Sequence, residues 1–266
     1  MATSTSRSAL LEAAQSSAVA VGAHDRDGWV GLFGIDGRVE DPVGSQPHNG
    51  RYAIERFYDT FIGPREIVFH PEADIVVDNT VIRDVELAVT MSDSVQMSIP
   101  TYVRYDLSDS VGELKIARLQ AYWELPAMVG QFVRSGIGAI PAGLGLTGAL
   151  LRNQGVGGAA GFLTGLRTGG RRAKDHVVEV LVAAATGDEL AVKRQLTEPA
   201  QITRGDDVRL SISELASLLS GAEVQKVIAA GRFVAARTVR GDDRGVVIAE
   251  LVPGRPVIRA LRFYRE

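Results

Sequence analysis

The residues best suited to chemistry in this 266-residue chain lie in one stretch, "VEDPVGSQPHNGRYAIERFYDTF", residues 39–61. Asp41 stands directly before Pro42, at the end of what reads as a short strand. A loop of Gly, Ser, Pro and Asn follows, and then an amphipathic helix carrying Tyr58. A carboxylate held at such a place is a candidate for acid–base work. The plain alternative is that Asp41-Pro42 opens a turn, since both residues are turn formers. Other chemistries are thin. The chain has no cysteine, which excludes disulfides, thiol catalysis and Cys-type metal sites. Its histidines, His24, His48, His70 and His176, show no metal-ligand spacing, so no metal site and no cofactor are expected.

The elements that must position Asp41 can be read around it. Leu10, Leu11, Ala14, Ala18 and Val21 have helical spacing over about 9–23, with Ser8 as the expected cap. "HDRDGWVGLF" predicts a short second helix carrying Trp29, Val30 and Phe33, and "GRVEDP" a brief strand ending at Pro42. Ile54, Phe57, Tyr58 and Phe61 share one helical face, with Asn49 as the expected cap. After Pro64 the pattern turns to strand. "ADIVVDN", "VIRDVELAVTM", "VQMSIPTYVRYDL" and "ELKIARLQAYWEL" are rich in β-branched residues and separated by turns. Helices followed by antiparallel hairpins imply an α+β domain over 1–125, with helices covering one face of a curved sheet.

Residues 126–170 predict a Gly-rich apolar linker, holding thirteen of the 29 glycines. Its uncharged run, Ser135 to Leu151, is short for a membrane span and broken by Pro141 and five glycines. A membrane-surface contact or a lid over an apolar pocket is the secondary reading. From 171 to 266 the first pattern returns in weaker form. "AKDHVVEVLVAAATGDELAVKRQL" repeats the helix–break–helix, "PAQITRG" the short strand and "SISELASLLSG" the next helix, and four strand runs follow. The endings "ARLQAYWE" and "RALRFYRE" align without a gap, which signals an internal duplication. Arg204 then falls at the position of Asp41. Two similar domains are expected, paired as an internal pseudo-dimer.

A net charge of −3 gives no electrostatic reason to bind nucleic acid. The N-terminal stretch, with Glu12 in an amphipathic pattern, makes a poor signal peptide. A cytoplasmic protein is expected.

With these elements in place, "EDPVGSQPHNGRYAIERFY" (40–58) and "LQAYW" (119–123) resemble the ketosteroid isomerases. These belong to the cone-shaped α+β superfamily that includes nuclear transport factor-like proteins and polyketide cyclases. The resemblance covers roughly residues 9–125; the second half resembles only the broader fold. It implies that Asp41 is a base, moving a proton from the α to the γ carbon of a steroid-like ketone. That chemistry requires an apolar cavity, which raises the pKa of the base, and donors for the oxyanion. Tyr58 corresponds to a family tyrosine of the supporting hydrogen-bond network, and Trp123 to an aromatic near the base. Phe33, Phe57, Phe61 and Trp123 would form the substrate wall. The family's oxyanion donors are replaced: Ser17 stands for the first-helix tyrosine, Phe33 for the second-helix tyrosine and Thr101 for the protonated aspartate. A slow steroid Δ-isomerase is therefore expected; the alternative is a non-catalytic binder of an apolar, steroid-like or polyketide-like molecule.

Overall fold

The computed structural model describes residues 5–92, 95–110, 112–134 and 170–266. Element labels below number the described elements only. The chain divides into two compact units. The first comprises Met1–Asp74 and Asn79–Arg167, the second Ile75–Asp78 and Thr168–Glu266.

In the first unit, α1 (Arg7–Gly22) begins at Ser6, whose hydroxyl accepts from the Ala9 N–H at 3.2 Å. The cap is thus two residues earlier than the sequence suggests. Leu10, Ala14, Ser17 and Val21 fall on its buried face, spaced by three and four residues. Helix α2 (Arg26–Gly31) is capped by Asp25 and buries Trp29 and Val30. Strand β1 (Phe33–Glu40) starts four residues before "GRVEDP", so Phe33 opens a strand instead of closing the second helix. The short β2 (His48–Asn49) leads into α3 (Gly50–Phe57). Asn49 occupies the cap position but makes no side-chain cap bond. A π-helical turn, Tyr58–Ile62, continues α3. Four long strands follow: β3 (Glu66–Val77), β4 (Thr80–Ser92), β5 (Val95–Ser110) and β6 (Glu113–Tyr122).

These strands form one six-stranded sheet in the order β2-β1-β6-β5-β4-β3. Only the β1–β6 pair is parallel; the other pairings described are antiparallel. Side chains alternate between faces along each strand. Val95, Met97 and Ile99 are buried while Gln96, Ser98 and Pro100 are exposed. The Val103↔Ala121 and Tyr105↔Leu119 partners extend the same face toward Trp123. Part of the expected linker is helical: α4 (Leu125–Arg134) follows β6 directly. The rest of the linker, 135–169, lies outside the described residues.

The second unit runs α5 (Gly170–Ala185), α6 (Glu189–Arg194), β7 (Leu196–Arg204), β8 (Val208–Arg209) and α7 (Ile212–Leu219). It ends in β9 (Glu223–Ala230), β10 (Phe233–Arg240), β11 (Asp243–Leu251) and β12 (Ile258–Tyr264). Its sheet order, β8-β7-β12-β11-β10-β9, repeats the first one strand for strand, with β7–β12 parallel. The fold class is therefore α+β in two copies. A core of Val, Leu, Ile and Ala closed by Phe263 holds the second copy together.

Candidate active site

Two strand ends build the centre of the site. The parallel register Glu40↔Gln120 brings the end of β1 beside the end of β6. The next residues, Asp41 and Trp123, meet there, and the Trp123 indole Nε1 donates to Asp41 Oδ1 at 2.5 Å. The loop after Asp41 is tied down locally. The Val43 N–H donates to the Ala121 carbonyl at 2.8 Å, and the Ser45 hydroxyl donates to the Pro42 carbonyl at 2.7 Å. Gly44 takes a φ of 95°, a conformation that glycine adopts without steric cost. Gln120 Nε2 donates to Glu40 Oε2 at 3.0 Å and fixes the neighbouring acid outside the site.

Asp41 lines a cavity of about 100 Å³. Phe57, Phe61 and Ile62 contribute from α3 and the π-helical turn, and Ile67 from β3. Leu87, Val89 and Met91 come from β4, Met97 and Ile99 from β5, and Met128 from α4. Burial among these groups pushes the Asp41 carboxyl up from 3.8 to about 6, with the Trp123 hydrogen bond pulling modestly the other way. A carboxylate so placed is a base matched to neutral pH and is surrounded by apolar surface.

Of the residues singled out by sequence, Asp41, Phe57, Phe61 and Trp123 line this cavity together. Phe57 and Phe61 also pack on one another, their centroids 5.1 Å apart. Ser17, Phe33, Thr101 and Tyr58 are buried but are not among the lining residues. Ser17 accepts from Trp29 Nε1 at 3.0 Å and is also hydrogen-bonded to Tyr105, whose hydroxyl is pushed up by burial. Phe33 packs edge-on against Trp29 at 4.8 Å. The Thr101 hydroxyl donates to the Ile99 carbonyl at 3.0 Å. The Tyr58 ring sits 5.6 Å from that of Trp29, and its hydroxyl has no hydrogen-bond partner among the described residues. His48 is half-buried against Phe57; burial, with Arg56 nearby, lowers its pKa to about 4.

Sequence reading missed the β4 and β5 wall, Met128 and Arg65. The wall was visible as alternation in "LAVTM" and "QMSI". Arg65 carried no such signal, since it follows Gly63-Pro64 and reads as a turn residue.

Residues 10–105 match the family model of the nuclear transport factor 2 (NTF2) domain. Within the first unit, residues 10–105 therefore carry an NTF2 domain. The chain is similar to the solved structure of RV0760c from Mycobacterium tuberculosis at 26% identity, over 46% of this chain and 96% of that one, with a TM-score of 0.41. It is also similar to the Δ5-3-ketosteroid isomerase of a Mycobacterium species at 28% identity, over 44% and 95%, with a TM-score of 0.41. A computationally designed binder of 17-OHP matches at 24% identity, over 44% and 94%, with a TM-score of 0.40.

Proposed function

We propose that the first unit is a slow proton-transfer enzyme of the ketosteroid isomerase type, acting on an apolar, steroid-like ketone. The observation that carries this reading is the Asp41 carboxylate, raised to about 6 within an apolar cavity. In the proposed reaction Asp41 takes a proton from the carbon α to the carbonyl, giving a dienolate and a neutral carboxyl. The same proton then returns at the γ carbon, which restores the carboxylate and yields the conjugated enone. Phe57, Phe61 and Trp123 would hold the rings of the substrate. Ser17, Phe33 and Tyr58 would support the site through Trp29, and Thr101 through β5.

The lining offers the dienolate oxygen little help. Trp123 has spent its one N–H on Asp41, and among the described residues no serine, threonine or tyrosine hydroxyl belongs to the lining. Losing an oxyanion donor typically costs about a hundred- to a thousandfold in rate. This same observation favours the second reading, a binder or carrier of an apolar molecule. The sequence repeat further supports the proposal that the second half serves the first as an internal partner, without chemistry of its own.

A β,γ-unsaturated ketosteroid tests the reading, since its isomerisation is followed by the absorbance of the conjugated enone. Slow turnover in the wild type, abolished in Asp41→Asn with steroid binding retained, is the expected result. Equal inactivity of both proteins, with both still binding steroid, would establish the carrier reading instead.

A further inference from the structure

Arg65 is the one cationic side chain among the described residues lining the cavity. It sits just after the π-helical turn, where its backbone N–H donates to the Ile62 carbonyl at 3.0 Å. Its guanidinium Nη1 donates to the Thr60 carbonyl at 2.7 Å. That bond uses one of five N–H groups, and no carboxylate among the described residues pairs with the others. Burial lowers its pKa only to about 10, so the group stays charged at neutral pH. Arg65 and Asp41 border one cavity, yet no salt bridge joins them. The two charged groups therefore lie beyond ion-pair reach of one another. An arginine outside ion-pair reach of the base is free to hold a group elsewhere on the ligand than the carbon that loses its proton.

We propose that Arg65 anchors a carboxylate on the ligand, so that the cavity takes an apolar acid whose anionic end lies away from Asp41. The guanidinium fork matches a carboxylate in shape, and apolar walls strengthen such a charge-assisted bond. The inference rests on the reading of the cavity as a ligand site and needs no turnover there. A purely structural Arg65 would cap the Thr60 carbonyl at the end of the helical turn and do nothing more.

Calorimetric titration with 2-naphthylacetic acid and its methyl ester at pH 8 separates the two roles. The wild type is expected to bind the acid about 10- to 100-fold tighter than the ester. Arg65→Gln should abolish the preference by weakening the acid alone, and Arg65→Lys should keep part of it. Equal binding of acid and ester by the wild type overturns the proposal, without the need for any variant. Arg65→Gln weakening both ligands alike also overturns it, by assigning the arginine a structural role. Failure of the wild type to bind either ligand overturns it as well. The enone assay of Asp41→Asn, by contrast, decides the isomerase reading alone and leaves the binding preference untouched.

Discussion

Asp41 combines two properties that oppose each other in stability and agree in function. Its pKa in the folded protein, about 6, lies above its ordinary 3.8. Folding therefore favours the protonated form. The stabilising contribution is fully present below about pH 4 and is lost as pH rises through 6. Above that, the buried charge costs on the order of 2–3 kcal/mol, from a shift of 3.8 to about 6. Asp41→Asn should accordingly raise stability to denaturant at pH 8 by up to about this amount, and by little at pH 4. Unchanged stability at pH 8 would mean that the carboxylate is not desolvated. The proposed catalysis runs the other way, because only the carboxylate takes a proton. The isomerisation rate at low substrate should fall about tenfold per pH unit below 6 and level off above it. Trp123→Phe keeps a ring at the wall and removes the donor. That substitution should move the midpoint upward by about one pH unit, since the bond to Trp123 favours the charged form.

At the scale of elements, what could be read in the sequence divides by the kind of signal. Helical spacing gave α3 through Ile54 and Phe57, and alternation gave the four long strands, because both periods follow directly from backbone geometry. Caps were less legible: Ser6 and Ser8 are equivalent by type, and only the folded chain puts Ser6 at the Ala9 N–H. The Asp41–Trp123 contact spans most of the unit, and local sequence implied it only through resemblance to a family. Arg65 could not be found at all, for nothing in "GPRE" records which way a turn faces. Helix α4 was absorbed into the linker by its flanking glycines, yet it has a place at the site. Gln131 holds it to β5 twice, accepting from the Ser98 N–H at 3.2 Å and donating to its carbonyl at 2.9 Å. Met128, three residues earlier, lines the cavity. The cavity, at about 100 Å³, is small for the proposed steroid-like ligand, and α4 is the wall proposed as its gate. Gln131→Ala, which removes two exposed hydrogen bonds, should therefore speed ligand release roughly three- to tenfold in stopped-flow displacement. Identical release rates would show that α4 does not gate the cavity.

The described residues carry one architecture twice, and the acid–indole pair in the first copy alone. The strand registers make the comparison residue by residue, because Glu40 pairs with Gln120 in the first unit and Thr203 with Arg262 in the second. Through the aligned endings, Arg262 corresponds to Gln120. Thr203 then corresponds to Glu40, and Arg204 to Asp41. Arg265 corresponds to Trp123. Both members of the acid–indole pair are thus replaced by arginines, and Arg204 is exposed. Helix α7 ends on buried Leu219 where α3 ends on Phe57, and smaller side chains such as Ala229, Ala236 and Ala249 fill the core. An exposed guanidinium cannot accept a proton at neutral pH, so the second copy lacks the group on which the proposed chemistry depends. Arg204→Ala should leave the isomerisation rate within about twofold of wild type and cost less than roughly 0.5 kcal/mol of stability, as exposed substitutions usually do. A large loss of turnover in Arg204→Ala, with Asp41→Asn still active, would reverse the roles of the two halves and move the search for the base to residues 171–266.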